Sequence, residues 1–190
     1  MNHRETFKMN VRRLHRQLAI ALFLPLGLTN CTGLAYRLGR SWLNLSKDFG
    51  KAMMAIHTGA FLGEWFSVLY MFLLSLTVVL LVASGFRLIN PWLLKRRFSS
   101  VKANVKVRLI HQYGALLLFL PLLVSATTGV SYHLSRYWLR LPKEKVAILL
   151  QIHEGAYLGA ALKPFYILLL SAALLLMFLS GWRMLRQRSA

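Results

Sequence analysis

The sequence predicts an all-α membrane protein: four transmembrane helices, built as two parallel tandem helical-hairpin repeats. Three observations carry the prediction. Hydrophobic residues make up 57% of the 190 positions and charged residues only 15%, a balance unlike that of soluble domains. Several apolar runs approach or exceed the ~20 residues that cross a hydrocarbon core of about 30 Å. The chain also repeats itself: shifted by 96 positions, it aligns without a gap from about Arg12 to Arg87.

The correspondence is dense. His15 falls on His111, Phe23-Leu24-Pro25-Leu26 on Phe119-Leu120-Pro121-Leu122, and Thr32-Gly33 on Thr128-Gly129. Further on, Tyr36 matches Tyr132, Arg40 matches Arg136, Trp42-Leu43 matches Trp138-Leu139 and Ile56-His57 matches Ile152-His153. Ser84-Gly85 and Arg87 match Ser180-Gly181 and Arg183. One hairpin has been duplicated, and a self-similarity of this length takes precedence over any local motif.

The elements follow in order. Residues 1–11 form an N-terminal arm. Residues 12–89 form the first hairpin, its first helix running from about Arg12 to beyond Tyr36 and its second ending near Ile89. Residues 90–107 are a basic linker containing Lys95-Arg96-Arg97. Residues 108–187 form the second hairpin, with helices from about Arg108 to beyond Tyr132 and up to about Leu185, and 188–190 are the tail. Pro25 and Pro121 predict mild kinks. Trp42, Trp138, Tyr36 and Tyr132 are expected as interfacial anchors. Gly59 and Gly63, with Gly155 and Gly159, read as GxxxG sites of close helix packing.

Charge sets the orientation. Fifteen of the 24 Lys and Arg residues lie in the arm, the linker and the tail with the helix ends that adjoin them (Arg4 to Arg16, Arg87 to Arg108, Arg183 to Arg188); the two hairpin loops hold the other nine with four of the five acids. The positive-inside rule places both termini and the linker in the cytoplasm. The net charge of +19 sits at the ends of apolar segments, which points to anionic lipid and not to nucleic acid. Cys31 is the single cysteine, so no internal disulfide forms. Leu28-Thr29-Asn30-Cys31 has the look of a lipoprotein cleavage site. The second copy, which cannot be a signal peptide, carries Thr127 at the matching position, so the first segment is expected to be a retained helix.

Of six histidines, four obey the repeat. In a parallel duplication each pair lies at one depth: His15 and His111 at the cytoplasmic ends of their helices, His57 and His153 near the outer ends of theirs. Two histidines facing across a helix bundle supply both axial ligands of a haem, so two b-type haems are expected, one near each membrane face. Leu18 and Ala19, with Gly114 and Ala115, lie one turn from the inner pair and leave room for a macrocycle. Arg12 and Arg108 are placed to pair with haem propionates. Met53, Ala60 and Phe61, with Leu149, Ala156 and Tyr157, lie on the outer histidine face. A hairpin folded near Ser46 puts His57 level with Ala35, about 30 Å above His15. His133 and His3 lack repeat partners and are expected at the surface. Arg37 stands opposite His133 in the repeat, so neither belongs to a symmetric site.

Leu14-His15-Arg16 before a long apolar run ending in Thr32-Gly33, its counterpart from Ile110-His111 to Thr128-Gly129, and the Ile-His-x-Gly-Ala-x-Leu-Gly segments at Ile56 and Ile152 resemble the PepSY-associated transmembrane helix family. The resemblance spans nearly the whole chain. It implies a bacterial inner-membrane protein of the haem b type with His15, His57, His111 and His153 as iron ligands, akin to ferric-siderophore reductases that pass electrons to iron outside. Larger members insert soluble PepSY domains in the outer loops. Here those loops are short, and Gln112 stands where the first copy has Arg16. A partner protein at the outer face would therefore supply substrate binding.

No phosphate-binding loop, nucleophile elbow or metalloprotease motif is present. Glu64 and Glu154 face Ala160 and Thr58 in the repeat, and Asp48 matches Glu144 beside Lys47 and Lys143, which reads as loop ion pairing. The expected function is dihaem transmembrane electron transfer, with a quinol or protein as donor and ferric iron or another metal complex as acceptor, as the membrane component of an oxidoreductase. The alternatives are a cofactor-free scaffold or assembly factor, and a small transporter with a histidine proton relay.

Overall fold

A computed structural model describes residues 3–95 and 102–186, and within them not the side chains of residues 3–5, 8 and 93. Seven α-helices follow one another: α1 (His3–Ser41), α2 (Lys47–Thr58), α3 (Glu64–Arg87), α4 (Pro91–Leu94), α5 (Ala103–His133), α6 (Lys143–His153) and α7 (Gly159–Arg186). α1, α3, α5 with its continuation to Trp138, and α7 are long and apolar enough to cross a membrane, and there is no strand among the described residues. The chain is a multi-pass membrane protein of four spanning helices in two tandem hairpins.

Neighbours around the bundle are α1 with α3, α3 with α5, α5 with α7 and α7 with α1, while the diagonals do not pack closely. Leu22, Leu26, Leu74, Val78 and Leu174 form the buried core, with Tyr70, Leu122 and Phe178 against them. Most other large apolar side chains point outward; Leu24 is 78% exposed and Leu117 72%. That is the surface lipid covers. Buried hydroxyls are satisfied across helices: Ser75 donates to the Ala126 carbonyl at 3.2 Å, and Asn30 Nδ2 donates to that of Ser171 at 3.3 Å.

The duplication is written in the backbone. Each of the six positive-φ residues among those described has its repeat partner: Asn44 with Arg140, Gly59 with Gly155, Gly63 with Gly159. Arg40 donates to the Leu45 carbonyl and Arg136 to that of Leu141, tying the two outer turns in the same way. One difference stands out between the copies. Leu134–Trp138 is a π-helical turn extending α5, whereas α1 stays α-helical to Ser41.

The return limb of each hairpin is not one helix. Ser46 caps α2, its hydroxyl accepting from the Phe49 N–H at 3.1 Å, and Gly59 ends it in the left-handed region with φ 74°. A 3₁₀ turn over Ala60–Leu62 follows, and Gly63 at φ 107° redirects the chain into α3. Gly155 and Gly159 do the same at 66° and 84°. This corrects the GxxxG reading: these glycines break helices, and a Cβ at Gly63 or Gly159 would meet open space. At Gly155 a Cβ would also stand 2.5 Å from the Tyr166 ring. Gly155→Ala is expected to lose at least ~1–2 kcal/mol, the cost of a left-handed L-residue, visible as a lowered unfolding midpoint in detergent.

The N-terminal arm is helical from His3 and continuous with α1, so the boundary expected at residue 12 is not a break. α5 begins at Ala103, inside the expected linker, of which residues 96–101 lie outside the described part. Pro25 and Pro121 sit inside uninterrupted helices, and the Pro25 carbonyl accepts from Tyr70 at 3.3 Å.

Candidate functional site

Along α1 the residues Leu26, Thr29, Asn30, Gly33, Tyr36 and Arg37 lie on one helical face. They line a central cavity of about 590 Å³, together with their partners Leu122, Ser125, Ala126, Gly129, Tyr132 and His133 on α5. His57, Met54 and Thr58 from α2 and His153, Leu150 and Glu154 from the α6 end close it. Leu74, Ser75 and Val78 oppose Ser171, Leu174 and Leu170. The cavity therefore straddles the pseudo-twofold relation between the hairpins, and its lining is mostly apolar, as ligand cavities of this size are.

Glycines admit the histidines. α2 packs along α1, and a Cβ on Gly33 would stand 3.0 Å from the His57 ring; one on Gly129 would stand 2.9 Å from that of His153. Across the bundle, a Cβ on Gly85 would stand 3.0 Å from the His15 ring and one on Gly181 3.5 Å from that of His111. All four glycines belong to the repeat.

The same ring nitrogen is engaged in all four. His57 Nδ1 lies 2.9 Å from the Thr29 carbonyl and His153 Nδ1 2.9 Å from that of Ser125. A carbonyl only accepts, so each Nδ1 carries the proton. His15 Nδ1 lies 3.0 Å from Ser84 Oγ and 3.2 Å from the Leu81 carbonyl. His111 Nδ1 lies 2.9 Å from Ser180 Oγ. Both serine hydroxyls donate onward to carbonyls, of Leu81 and Met177, and so accept from the rings. Each Nε2 keeps its lone pair, and none has a hydrogen-bond partner among the described residues. A ring held through Nδ1–H with Nε2 presented is the arrangement of metal-ligating histidines. Burial holds the His57 imidazolium below the usual range, to about 4, with the charge of His153 adding to the effect. Burial likewise lowers His153.

The structure thus brings His57 and His153 to one cavity, which His15 and His111 do not line. His57 sits level with Thr29 to Gly33, deeper than Ala35. Fourteen to eighteen residues of α1 then separate the two histidine layers, about 21–27 Å at the helical rise, because α2 folds back along α1 and the missing Gly33 side chain lets the ring in.

Other expectations change. His133 is 5% exposed, not a surface residue. Its Nε2 lies 2.8 Å from Ser67 Oγ, which donates to the Thr58 carbonyl at 2.9 Å, so His133 carries its proton on Nε2 and differs from the other four. The His3 side chain lies outside the described residues. Tyr36 and Tyr132 line the cavity instead of anchoring the interface, whereas Trp42 and Trp138 are exposed. Phe61 and Tyr157 are 61% and 66% exposed, because the left-handed glycines end α2 and α6 and turn the next residues away; Met54 and Leu150 face the cavity instead. Gly114 gives no open space, since the Met177 sulfur would lie 2.7 Å from a Cβ there. Arg12 and Arg108 are exposed and have no ion-pair partner among the described residues. Asp48 pairs with Lys51 at 2.9 Å, well exposed, and is structural at most.

The charged cluster of this site was not legible beforehand. Arg37 meets Glu154 at 2.9 Å, and Lys163 binds the same carboxylate oxygen. The three are 14%, 23% and 18% exposed. Their repeat partners are His133, Thr58 and Ser67, the neutral trio joined on the other side of the cavity.

No family model, curated protein or solved structure matches this chain.

Proposed function

We propose that this chain is a b-type dihaem transmembrane electron-transfer protein, in which His57 and His153 would hold one haem in the central cavity and His15 and His111 a second nearer the opposite face. The observation that carries the reading is the pair His57 and His153: repeat-related, in one cavity, each fixed through Nδ1–H and each with a free Nε2. Among the described residues no group of three or more His, Cys, Asp or Glu gathers to hold a metal. Ligands in twos are the number a porphyrin-bound iron needs. The resemblance of the histidine segments to the PepSY-associated family supports the same conclusion.

Haem, when bound, supplies a one-electron iron couple. The chain's part is to orient the imidazoles through carbonyl acceptors that raise their basicity, to admit them beside Gly33, Gly129, Gly85 and Gly181, and to surround the cavity with Leu26, Leu74, Leu122 and Leu174, which keep water out. In this reading the protein lies in a bacterial inner membrane with cytoplasmic termini and basic segments on anionic lipid. It takes electrons from a quinol or protein and serves an acceptor such as ferric iron, bound by a partner at the outer face.

A cofactor-free scaffold would also use the four Nδ1 bonds, but leaves the four unpartnered Nε2 atoms, and the cavity that His57 and His153 line, without a role. The absorption spectrum separates the two. Purified in detergent after expression with ample haem, the protein is expected to show b-type bands on dithionite reduction; a colourless protein contradicts the proposal.

A further inference from the structure

Three departures from the repeat coincide at one place. Along the cavity wall Gly33, Tyr36, His57, Leu74 and Ser75 recur as Gly129, Tyr132, His153, Leu170 and Ser171, yet Arg37, Glu154 and Lys163 on one side face His133, Thr58 and Ser67 on the other. Each trio joins the hairpins, since Arg37 comes from the first and its two partners from the second, and the reverse holds for His133. Arg37 and Glu154 line the cavity, and Lys163 holds Glu154 from behind. One carboxylate between two cations leaves one positive charge in excess, and Arg37 presents it at the wall, largely shielded from solvent. A charge so placed calls for an anionic partner. None of the other acids among the described residues fills that role: Asp48 pairs with Lys51 and Glu64 with Arg140, at 2.5 Å, and Glu144 is exposed.

We infer that Arg37 is the anchor for a carboxylate of the molecule that fills the central cavity, with Glu154 and Lys163 as positioning residues. The occupant has an apolar body and an acidic group at the Arg37 side. The inference rests on the haem reading, in which that acidic group is a propionate. It adds a propionate contact at the outer centre, distinct from Arg12 and Arg108, which lie beside the inner histidines. An arginine presents a planar fork of donors matched to a carboxylate. With Lys163 already on Glu154, the guanidinium can share its donors between Glu154 and the ligand.

The test compares haem with haem dimethyl ester, which has the same macrocycle and no carboxylates. The full chain with His15→Ala retains only the outer pair and is titrated with each compound in detergent. Haem is expected to bind about ten-fold or more tightly than the ester, the effect of a hydrogen bond to a charged group. Replacing the trio by its sister residues (Arg37→His with Glu154→Thr and Lys163→Ser) is expected to abolish that preference while both compounds still bind. These are residues the other half of the cavity already accommodates. Equal binding of haem and ester by the unaltered trio, or an undiminished preference after the exchange, overturns the anchor and leaves the haem reading standing. Failure of both compounds to bind overturns the haem reading itself, and the anchor with it.

Discussion

His153→Ala is expected to remove the outer haem and leave the inner one, halving the haem bound per chain. The His153 and His57 rings both line the central cavity, and alanine leaves His57 as its one imidazole with an unpartnered Nε2 among the described residues. His57→Ala should give the same loss if, as proposed, the two rings hold one centre. His111→Ala should remove the other half instead, since its ring is held by Ser180 on α7, a separate layer of the bundle. Haem extraction per mole of protein and the amplitude of the reduced bands measure this directly. Loss of both haems from either change contradicts two independent centres. Loss of neither contradicts axial ligation by these residues.

Gly129→Leu is expected to be as damaging without touching a ligand. A Cβ there would stand 2.9 Å from the Cε1 and Nδ1 of His153, closer than carbon atoms pack, so a leucine forces the ring to shift. The imidazole must leave the Ser125 carbonyl, which frees the rotamer and the tautomer together. The outer haem should be lost, as it is with His153→Ala, and the apo fold should weaken by about 1–3 kcal/mol, typical of overpacking. Gly33→Leu should act likewise through His57. Gly63→Ala serves as the contrast: a Cβ there meets nothing within 4 Å, so its effect is confined to backbone strain and haem content should hold.

What could be read from the sequence follows from what a repeat reveals. The hairpin, its duplication and the four paired histidines are periodic features, and the apolar runs fix the spans by length alone. The conformation of Gly59 and Gly63 was hidden because GxxxG spacing on a helix and a left-handed helix break use the same letters; only the backbone distinguishes them. His133 looked like a surface residue because it lacks a histidine partner. Its position was nevertheless legible: it lies four residues after Gly129, on the face that meets His153, as Arg37 lies four after Gly33. The cluster of Arg37, Glu154 and Lys163 was out of reach for a different reason. Its members come from both hairpins, and Glu154 meets Arg37 only once α6 has folded back against α5 and α7 has closed on α1. Arg12 and Arg108 lie one turn from the inner histidines by spacing alone, and both are exposed.

The central claim is that one iron is shared by imidazoles of the two hairpins. Electron paramagnetic resonance of the oxidised protein carrying His15→Ala tests it most directly, because only the outer centre then contributes. A six-coordinate, low-spin ferric signal of the bis-histidine type is the predicted result, disappearing with the haem when His153→Ala is added. A high-spin signal before that second change, or a low-spin signal that survives it, would contradict the claim.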